Sequence, residues 1–232
     1  MKGSTWIGFA WLWAAGIAGA ALFLSPPTAA ADCTMPELRP TVELTEKKGR
    51  QRFSNGYSGS QLEDKRRQGS PASAAAQGPE WHLVGLMGRD LSWEIKIVVQ
   101  GRDLGHGYCV GLKDVEMILG YGRITVYVDR RYRPGSCEYA VILEHEQQHV
   151  QNFKSKLANY IPQIRSRLED EVRRLTPRTA GSVKSGADRF VRELRQRMAP
   201  LLNQMQSDMS RGDRLIDTPE SYRASQARCS NW

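Results

Sequence analysis

A histidine motif inside an apolar helical pattern constrains this chain more than any other feature of its sequence. The motif reads His145-Glu146-Gln147-Gln148-His149, and a helix places positions i and i+4 about 5–6 Å apart on one face. Apolar residues precede and follow the motif at helical spacing: Tyr139, Val141, Ile142, Leu143, Val150, Phe153 and Leu157. Because the two histidines continue this apolar stripe, we expect a buried helix. Burying both imidazoles without a shared partner would be unfavourable.

Two histidines at this spacing can bind one metal ion. Neutral imidazoles are common zinc ligands. Glu146 follows the first histidine, where its carboxylate can reach a water molecule at the metal without acting as a ligand. We therefore predict that His145 and His149 bind Zn²⁺ and that Glu146 is a catalytic general base. The alternative is two surface histidines on an ordinary amphipathic helix. The other histidines, His82 and His106, stand alone and are not predicted ligands.

At this motif the chain resembles the zincin metallopeptidases, in which a short sheet packs against the helix that carries the two histidines. The resemblance covers about residues 123–171. It implies an exported zinc-dependent hydrolase with a peptide or protein substrate. In zincins a strand near the motif helix offers its edge to an extended substrate, so the resemblance makes residues 124–129 the expected substrate platform. The competing hypothesis is a non-catalytic structural or envelope-associated protein whose motif binds metal weakly or not at all.

A catalytic zinc site needs a third protein ligand. In the gluzincin branch of the zincins this ligand is a glutamate on a later helix, and Glu169 follows His149 at a similar spacing. The two residues face each other only if the chain reverses near Pro162. If Pro162 lies inside one long helix, they are about 30 Å apart and the reversal moves to near residue 179. Besides Glu169, the first choice, the candidate ligands are Asp208 and Asp213, which fit the second arrangement, and Glu171.

The first 31 residues have the pattern of a secretory signal peptide. Lys2 precedes an apolar run over residues 6–24, and two prolines are followed by Ala29-Ala30-Ala31, a small-residue cleavage site. We predict cleavage before Asp32 and a secreted or periplasmic protein. The apolar run is long for a signal peptide, so an uncleaved membrane anchor is the alternative.

Four cysteines follow this segment: Cys33, Cys109, Cys137 and Cys229. An even number in an exported chain, without Cys-x-x-Cys spacing, predicts disulfide bonds. Three pairings are possible. We favour Cys109–Cys137, which would tie a strand to the start of the motif helix, and Cys33–Cys229, which would join the two chain ends.

The chain is basic, and a polar segment follows its predicted signal peptide. The formal net charge is +8, with clusters of lysine and arginine at residues 47–52 and 65–67. An exported protein rarely meets nucleic acid, so we expect no nucleic-acid partner. Attraction to an anionic envelope surface or to an acidic substrate is the better interpretation. Residues 46–80 offer few apolar side chains to bury, and we predict a flexible N-terminal arm over residues 32–80.

The remaining residues, 81–232, have the pattern of one zincin-like α+β domain. β-branched and aromatic residues mark four predicted strands, at residues 81–87, 91–100, 108–112 and 123–129. These strands predict a small antiparallel sheet packed on the motif helix, with Ser136 as the helix N-cap. Two further apolar stripes at helical spacing, separated by a turn at residues 176–182, predict a helical C-terminal half.

Overall fold

The chain forms an α+β fold in which one sheet packs against two long helices. The computed structural model describes residues 33–69 and 82–232. In chain order the elements are β1 (Thr41–Tyr57), α1 (Gly59–Gly69), β2 (Gly85–Asp103), β3 (Tyr108–Asp129), α2 (Cys137–Arg173), β4 (Arg178–Ala180), α3 (Val183–Ile216) and α4 (Pro219–Gln226). The predicted fold class is confirmed, including the helical C-terminal half.

The central strand of the sheet is β3. On one edge β2 pairs with it antiparallel, and on the other edge β1 pairs with it parallel. The short β4 pairs antiparallel with residues 108–110 at the start of β3. The sheet is therefore mixed, and the prediction of an antiparallel sheet is wrong for β1. Because β1 and β3 are not consecutive along the chain, the intervening residues can carry the chain back so that both strands run in the same direction.

The predicted strands merge into two long ones. Residues 91–100 and the second half of 81–87 lie in β2, and residues 108–112 and 123–129 both lie in β3. Most of the residues between the predicted strands are paired, and a register shift between Arg89 and Leu91 lets the ladder continue past Asp90.

The expected substrate platform has no free edge. Residues 124–129 lie in the central strand, where they pair with β1 on one side and with β2 on the other. This expectation is wrong, because a strand whose two edges are already hydrogen-bonded cannot accept a further strand. The strands at the two sides of the described sheet are β1 and β2.

Much of the predicted flexible arm is instead a strand and a helix. Residue pairing with β3 begins at Thr41 and continues through most of β1, although Leu44 is the only fully buried residue of this strand. Backbone hydrogen bonds to β3 stabilise β1, and these bonds cannot be recognised from the polar side chains of the segment. The compact unit accordingly begins at Cys33 instead of residue 81. The predicted signal peptide, residues 32 and 70–80 of the predicted arm, and residue 81 of the first predicted strand lie outside the described residues.

Two long helices pack against the sheet. Helix α2 has 37 residues and contains Pro162, and α3 has 34 residues. The chain therefore reverses at residues 174–182, and the alternative of a reversal near Pro162 is wrong. Ser136 caps α2 as predicted, since its hydroxyl oxygen accepts a hydrogen bond from the backbone N–H of Tyr139 at 3.1 Å.

The apolar core lies between β3 and the facing sides of both helices. Its buried members include Val115, Met117 and Leu119 of β3, Phe153, Leu157, Ile164 and Leu168 of α2, and Phe190, Leu194, Met198, Leu202, Met205 and Met209 of α3. Each large side chain buried in this way stabilises the fold by about 1.5–3 kcal/mol. Because the buried stripe of α3 extends to Met209, this helix stays in contact with its neighbours almost to its C-terminal end.

Both disulfides differ from the favoured pairing. Cys33 pairs with Cys109, and Cys137 pairs with Cys229. Cys109 lies near the start of the 22-residue β3, and Cys137 follows the end of that strand. The 20 residues of β3 beyond Cys109 would span roughly 65 Å if straight, so a Cys109–Cys137 bond is not possible. The prediction treated this long strand as two short ones and therefore placed the two cysteines too close together.

The disulfides bear on the compartment of the protein. Two disulfides that use all four cysteines indicate an oxidising, extracytoplasmic environment. Among the described residues, no helix has the length and apolar character needed to cross a membrane. Residues 6–24, the apolar run of the predicted signal peptide, are not among the described residues.

The disulfide pairing can be checked directly. In protein recovered from its own compartment, peptide mapping without reductant should find Cys33 linked to Cys109 and Cys137 linked to Cys229. The sequence separations are 76 and 92 residues, so each bond should stabilise the fold by roughly 4–5 kcal/mol according to the chain-entropy description. Thiol titration after denaturation should find no free thiol. A peptide linking Cys109 to Cys137 would contradict the structure.

Candidate metal centre

The end of α3 lies beside the histidine motif because α2 and α3 pack antiparallel. Asp213, near the end of α3, contacts His149, near the start of α2. Farther along α2, Glu171 contacts Arg197, which lies earlier in α3. This arrangement brings acidic side chains from the last turn of α3 to the two histidines.

Three side chains converge at this place and can hold a metal ion. His145 Nε2 lies 3.1 Å from Asp217 Oδ1, and His149 Nε2 lies 3.0 Å from the same oxygen. Candidate ligand atoms of the three residues all lie within 4.8 Å of one another. Two ligand atoms bound to zinc at 2.0–2.1 Å in a tetrahedral arrangement would be about 3.3 Å apart. The distances of 3.1 and 3.0 Å from the histidine nitrogens to Asp217 Oδ1 are therefore close to the spacing of two ligands around one zinc ion.

The third member of the group, Asp217, was missed by sequence analysis. It is the C-cap residue of α3 and directly precedes Thr218, the N-cap of α4. A reversal with equal arms near residue 179 places the partner of His149 near residue 209. The short strand β4 lies within the reversal, and an extended residue advances about 3.3 Å against 1.5 Å for a helical one. The extended segment therefore lengthens the reversal, and residues later in the chain than 209, Asp213 and Asp217, lie beside His149.

Asp213, a predicted candidate ligand, orients one of the histidines. Its Oδ1 atom lies 3.1 Å from His149 Nδ1 and accepts a hydrogen bond from Asn152 Nδ2 at 2.8 Å. Its Oδ2 atom is 3.3 Å from an Arg89 guanidinium nitrogen. A carboxylate on Nδ1 leaves Nε2 of the same ring directed at the metal position, which is the common arrangement around metal-bound histidines.

The other candidate ligands lie elsewhere. Asp208 accepts a hydrogen bond from the Tyr160 hydroxyl at 2.5 Å. Glu171 is buried and forms ion pairs with three arginines, Arg167, Arg174 and Arg197. Glu169, the first choice, is outside the metal-capable group, as are His82 and His106. Glu169 was wrong because Pro162 does not interrupt α2, so the residue lies far along the same helix from His149.

The segment after Asp217 covers the site. Tyr222 in α4 donates a hydrogen bond from its hydroxyl to Asp217 Oδ1 at 2.7 Å, and its ring lies 5.1 Å from the His145 ring between centroids. The Cys137–Cys229 disulfide joins the residues that follow α4 to the first residue of α2. This covalent link holds the C-terminal segment, including Asp217 and Tyr222, near the motif helix.

Glu146 faces β2 at a point where that strand has no side chain. The glutamate is buried, and a Cβ atom at Gly85 would lie only 2.5 Å from Glu146 Oε1 and 2.7 Å from Ile142 Cγ2. Glycine at position 85 is therefore needed for the strand to approach α2 this closely. Burial raises the pKa of the Glu146 carboxyl to about 7, although the nearby His149 and His145 oppose the shift. A carboxyl with a pKa near neutrality can both accept and release a proton.

The charges of the cluster depend on one another. Burial lowers the pKa of the His149 imidazole, but hydrogen bonds to Asp213 and Asp217 outweigh burial and raise the pKa to about 10. Burial likewise acts to raise the pKa of Asp217, but hydrogen bonds from His145 and His149 hold that pKa well below its usual range. Burial also acts to raise the pKa of Asp213, but the hydrogen bond from His149 and the charge of Arg89 lower it. Both carboxylates are therefore ionised at neutral pH. A divalent cation binding here would displace a proton from the His149 ring, and the anionic oxygens beside the imidazole nitrogens would then form a suitable donor set.

Comparison with known proteins gives no relative for this chain. No protein-family model matches it, no curated protein matches it, and no solved structure matches it. The interpretation of the site therefore depends on its geometry and on the resemblance of the five-residue motif.

Removal of the Asp217 carboxylate should abolish tight metal binding. For Asp217→Asn we expect zinc affinity to fall by more than about 100-fold, because even residues that only support a ligand contribute 10–100-fold. Competition with a chelating dye would measure the affinity. Glu169→Gln, which removes one negative charge from α2 outside the site, is the matched control and should bind zinc as tightly as wild type. Equal affinities for wild type and Asp217→Asn would exclude Asp217 as a ligand.

Proposed function

We propose that this protein is an exported zinc-dependent hydrolase that cleaves peptide bonds, with zinc held by His145, His149 and Asp217. The observation that carries the proposal is the convergence of two imidazole nitrogens and one carboxylate oxygen within 4.8 Å of one another. Glu146 follows His145 on the same helix. Three protein ligands leave one position of a tetrahedron open, which is typical of catalytic zinc sites and not of structural ones.

The donor set fits zinc in particular. Nitrogen and carboxylate oxygen are both common zinc ligands, and the oxygen-rich sites preferred by magnesium or calcium do not use two imidazoles. When bound at such a site, zinc acts as a Lewis acid and makes water a better nucleophile at neutral pH. The four cysteines are engaged in disulfides, so no thiolate competes for the metal.

The residues around the metal position have separate roles in this proposal. Glu146 accepts a proton from the attacking water and delivers it to the leaving amine. Asp213 fixes the orientation of the His149 ring through Nδ1. Tyr222, hydrogen-bonded to Asp217 Oδ1, holds the carboxylate in place from the side of α4. Arg89 neutralises part of the charge of Asp213, with which it forms an ion pair.

The position of β2 supports a peptide as the substrate. This strand lies at one side of the described sheet, and Gly85 at its start lies against Glu146. Within the described residues, no strand pairs with the outer edge of β2. An extended peptide can add to a free strand edge through backbone hydrogen bonds. The start of β2 thus takes the place that the sequence analysis assigned to residues 124–129.

The general-base role is tested with Glu146→Gln. This variant should keep its zinc, because Glu146 is not a ligand, and should lose activity by about 10²–10⁴-fold, the usual contribution of a general acid–base group. Zinc content would be measured by metal analysis after dialysis, and activity by the appearance of new amino termini in an unfolded protein substrate. If wild type binds zinc but both proteins are equally inactive, the non-catalytic envelope protein becomes the better interpretation.

A substitution at Gly85 tests the position of the Glu146 carboxylate without replacing Glu146 itself. In Gly85→Ala the new methyl group would displace the Glu146 carboxylate, and a displacement of about 1 Å can reduce activity by about 100-fold. Zinc content should not change.

The matched control for this experiment is Gly88→Ala in the same strand. Its Cβ atom would lie 3.4 Å from the nearest ring atom of Tyr127, which is an ordinary contact. Equal activities for the two alanine variants would contradict the role given to the contact between Gly85 and Glu146.

A further inference from the structure

A cleft is lined mainly by cationic side chains of β1 and β3. It lies where the register between β2 and β3 shifts, near Asp90. The cleft has a volume of about 610 Å³, and its lining residues are Lys48, Gly49, Arg50, Arg52, Asp90, Gly122 and Arg123. We call this feature the basic cleft. Three of its four cations belong to the lysine and arginine cluster at residues 47–52 that the sequence analysis associated with an anionic partner.

Strand geometry directs two of these arginines away from the motif helix. Gln51 donates a hydrogen bond to Gln147 of α2 at 3.1 Å. Successive side chains of a strand point to opposite faces, so Arg50 and Arg52, on either side of Gln51, project from the face opposite to α2. Both residues are exposed. The basic cleft is therefore separate from the candidate metal centre.

The third arginine is placed beside them by the register of the sheet. Arg50 of β1 and Arg123 of β3 are directly paired positions. The neighbouring glycines allow this approach, since a Cβ atom at Gly49 would lie 1.9 Å from the Gly122 carbonyl oxygen. Like charges directly opposite each other in a sheet are destabilising. The pair of arginines is thus an unfavourable arrangement for the free protein, and a bound anion would relieve it.

These arginines are not neutralised by any acid in residues 33–69 and 82–232. The side chains of Arg50, Arg52 and Arg123 form no ion pair and no hydrogen bond with any other residue in the described part of the chain. The nearby acids are engaged: Asp90 accepts a hydrogen bond from the backbone N–H of Arg123 at 2.6 Å, and Glu46 pairs with Lys48 at 2.9 Å.

A second arginine-rich cleft shows the contrast. That cleft, on α3 and β4, is lined by Arg178, Arg189, Arg192 and Arg197 together with Glu193 and Gln196. Glu193 forms ion pairs with Arg178 and with Arg197. Arg197 also pairs with Glu171. Arg178 and Arg197 of this cleft are therefore neutralised by acidic side chains, whereas the arginines of the basic cleft are available to a ligand.

We propose that the basic cleft is a binding site for a phosphate group. A guanidinium presents a planar set of N–H donors that matches phosphate oxygens in pairs, and three such groups around one cleft suit an anion that carries more than one charge. A single carboxylate carries only one. The phosphate is presented either by an anionic lipid headgroup of the envelope or by a free phosphate compound. The proposal is independent of the metal centre.

The experiment compares two double variants of protein recovered from its own compartment. Arg50→Gln/Arg123→Gln removes the paired cations of the cleft, and Arg192→Gln/Arg195→Gln removes the same charge from exposed positions on α3. Cosedimentation measures binding to phosphatidylglycerol vesicles, with phosphatidylcholine vesicles as the uncharged reference. Calorimetric titration with inorganic pyrophosphate measures binding of a free phosphate compound. Thermal unfolding checks that both variants are folded.

We expect the cleft variant to bind phosphatidylglycerol vesicles, pyrophosphate or both about 30-fold more weakly than wild type. Each cation near an anionic surface raises the binding constant roughly fivefold, and the variant lacks two cations. The control variant should change binding less than about threefold. Loss in the vesicle assay alone identifies a lipid headgroup, and loss in the pyrophosphate assay alone identifies a free phosphate compound. Equal losses in both variants, no binding by wild type, or equally strong competition by a polyglutamate peptide would overturn the proposal.

Discussion

The antiparallel packing of α3 on α2 is the interaction on which the rest of the structure depends. The methionine-rich stripe of α3 is buried from Phe190 to Met209. Because it packs against α2 over this length, the C-terminal end of α3 lies beside the start of α2. The last turn of α3 then lies beside the motif helix, with Asp213 facing His149 and Asp217 facing both histidines. A shift of one helical turn, about 5.4 Å, would separate the carboxylates from the imidazoles. Precision at the site is thus a consequence of apolar packing over a distance of several turns.

The polar cluster at this junction is stable because its members compensate one another. Two imidazoles and a glutamate are buried in α2, and burial of unpaired charged groups would be strongly destabilising. Asp213 and Asp217 supply the negative charge. Asn152 and Tyr222 donate further hydrogen bonds to the Oδ1 atoms that contact the histidines, and Arg89 pairs with Asp213 Oδ2. No buried polar side-chain atom among the described residues lacks a partner. The cluster is therefore held in one geometry, as a metal site requires.

The sheet has different roles on its two faces. Toward the helices, β3 supplies the core, and Gly85 of β2 lets the strand approach Glu146. On the opposite face, β1 and β3 place Arg50 beside Arg123, and neither side chain has a partner among the described residues. The two disulfides fasten the ends of the described chain onto this framework, one at β3 and one at the start of α2. The second bond matters more for the site, because the residues between Asp217 and Cys229 include Tyr222.

The sequence by itself determined the features that depend on local pattern. The spacing of His145, Glu146 and His149 on a helix, the Ser136 cap, the apolar stripe of α3 and the α+β class all follow from short-range periodicity and turn chemistry. Segments held by backbone pairing were less visible, because the polar side chains of β1 do not report the hydrogen bonds that its backbone makes with β3.

Only the tertiary structure decided which residues meet across long separations. Asp217 joins His145 over 72 residues, and its position depends on how Pro162 is accommodated and on the length of the reversal that contains β4. Sequence spacing alone placed the partner several residues away. The disulfide pairing failed for a similar reason, since the length of β3 separates Cys109 from Cys137. Local sequence sets the conformation of each segment, but the sum of segment lengths and the packing of their apolar faces set the distances between them.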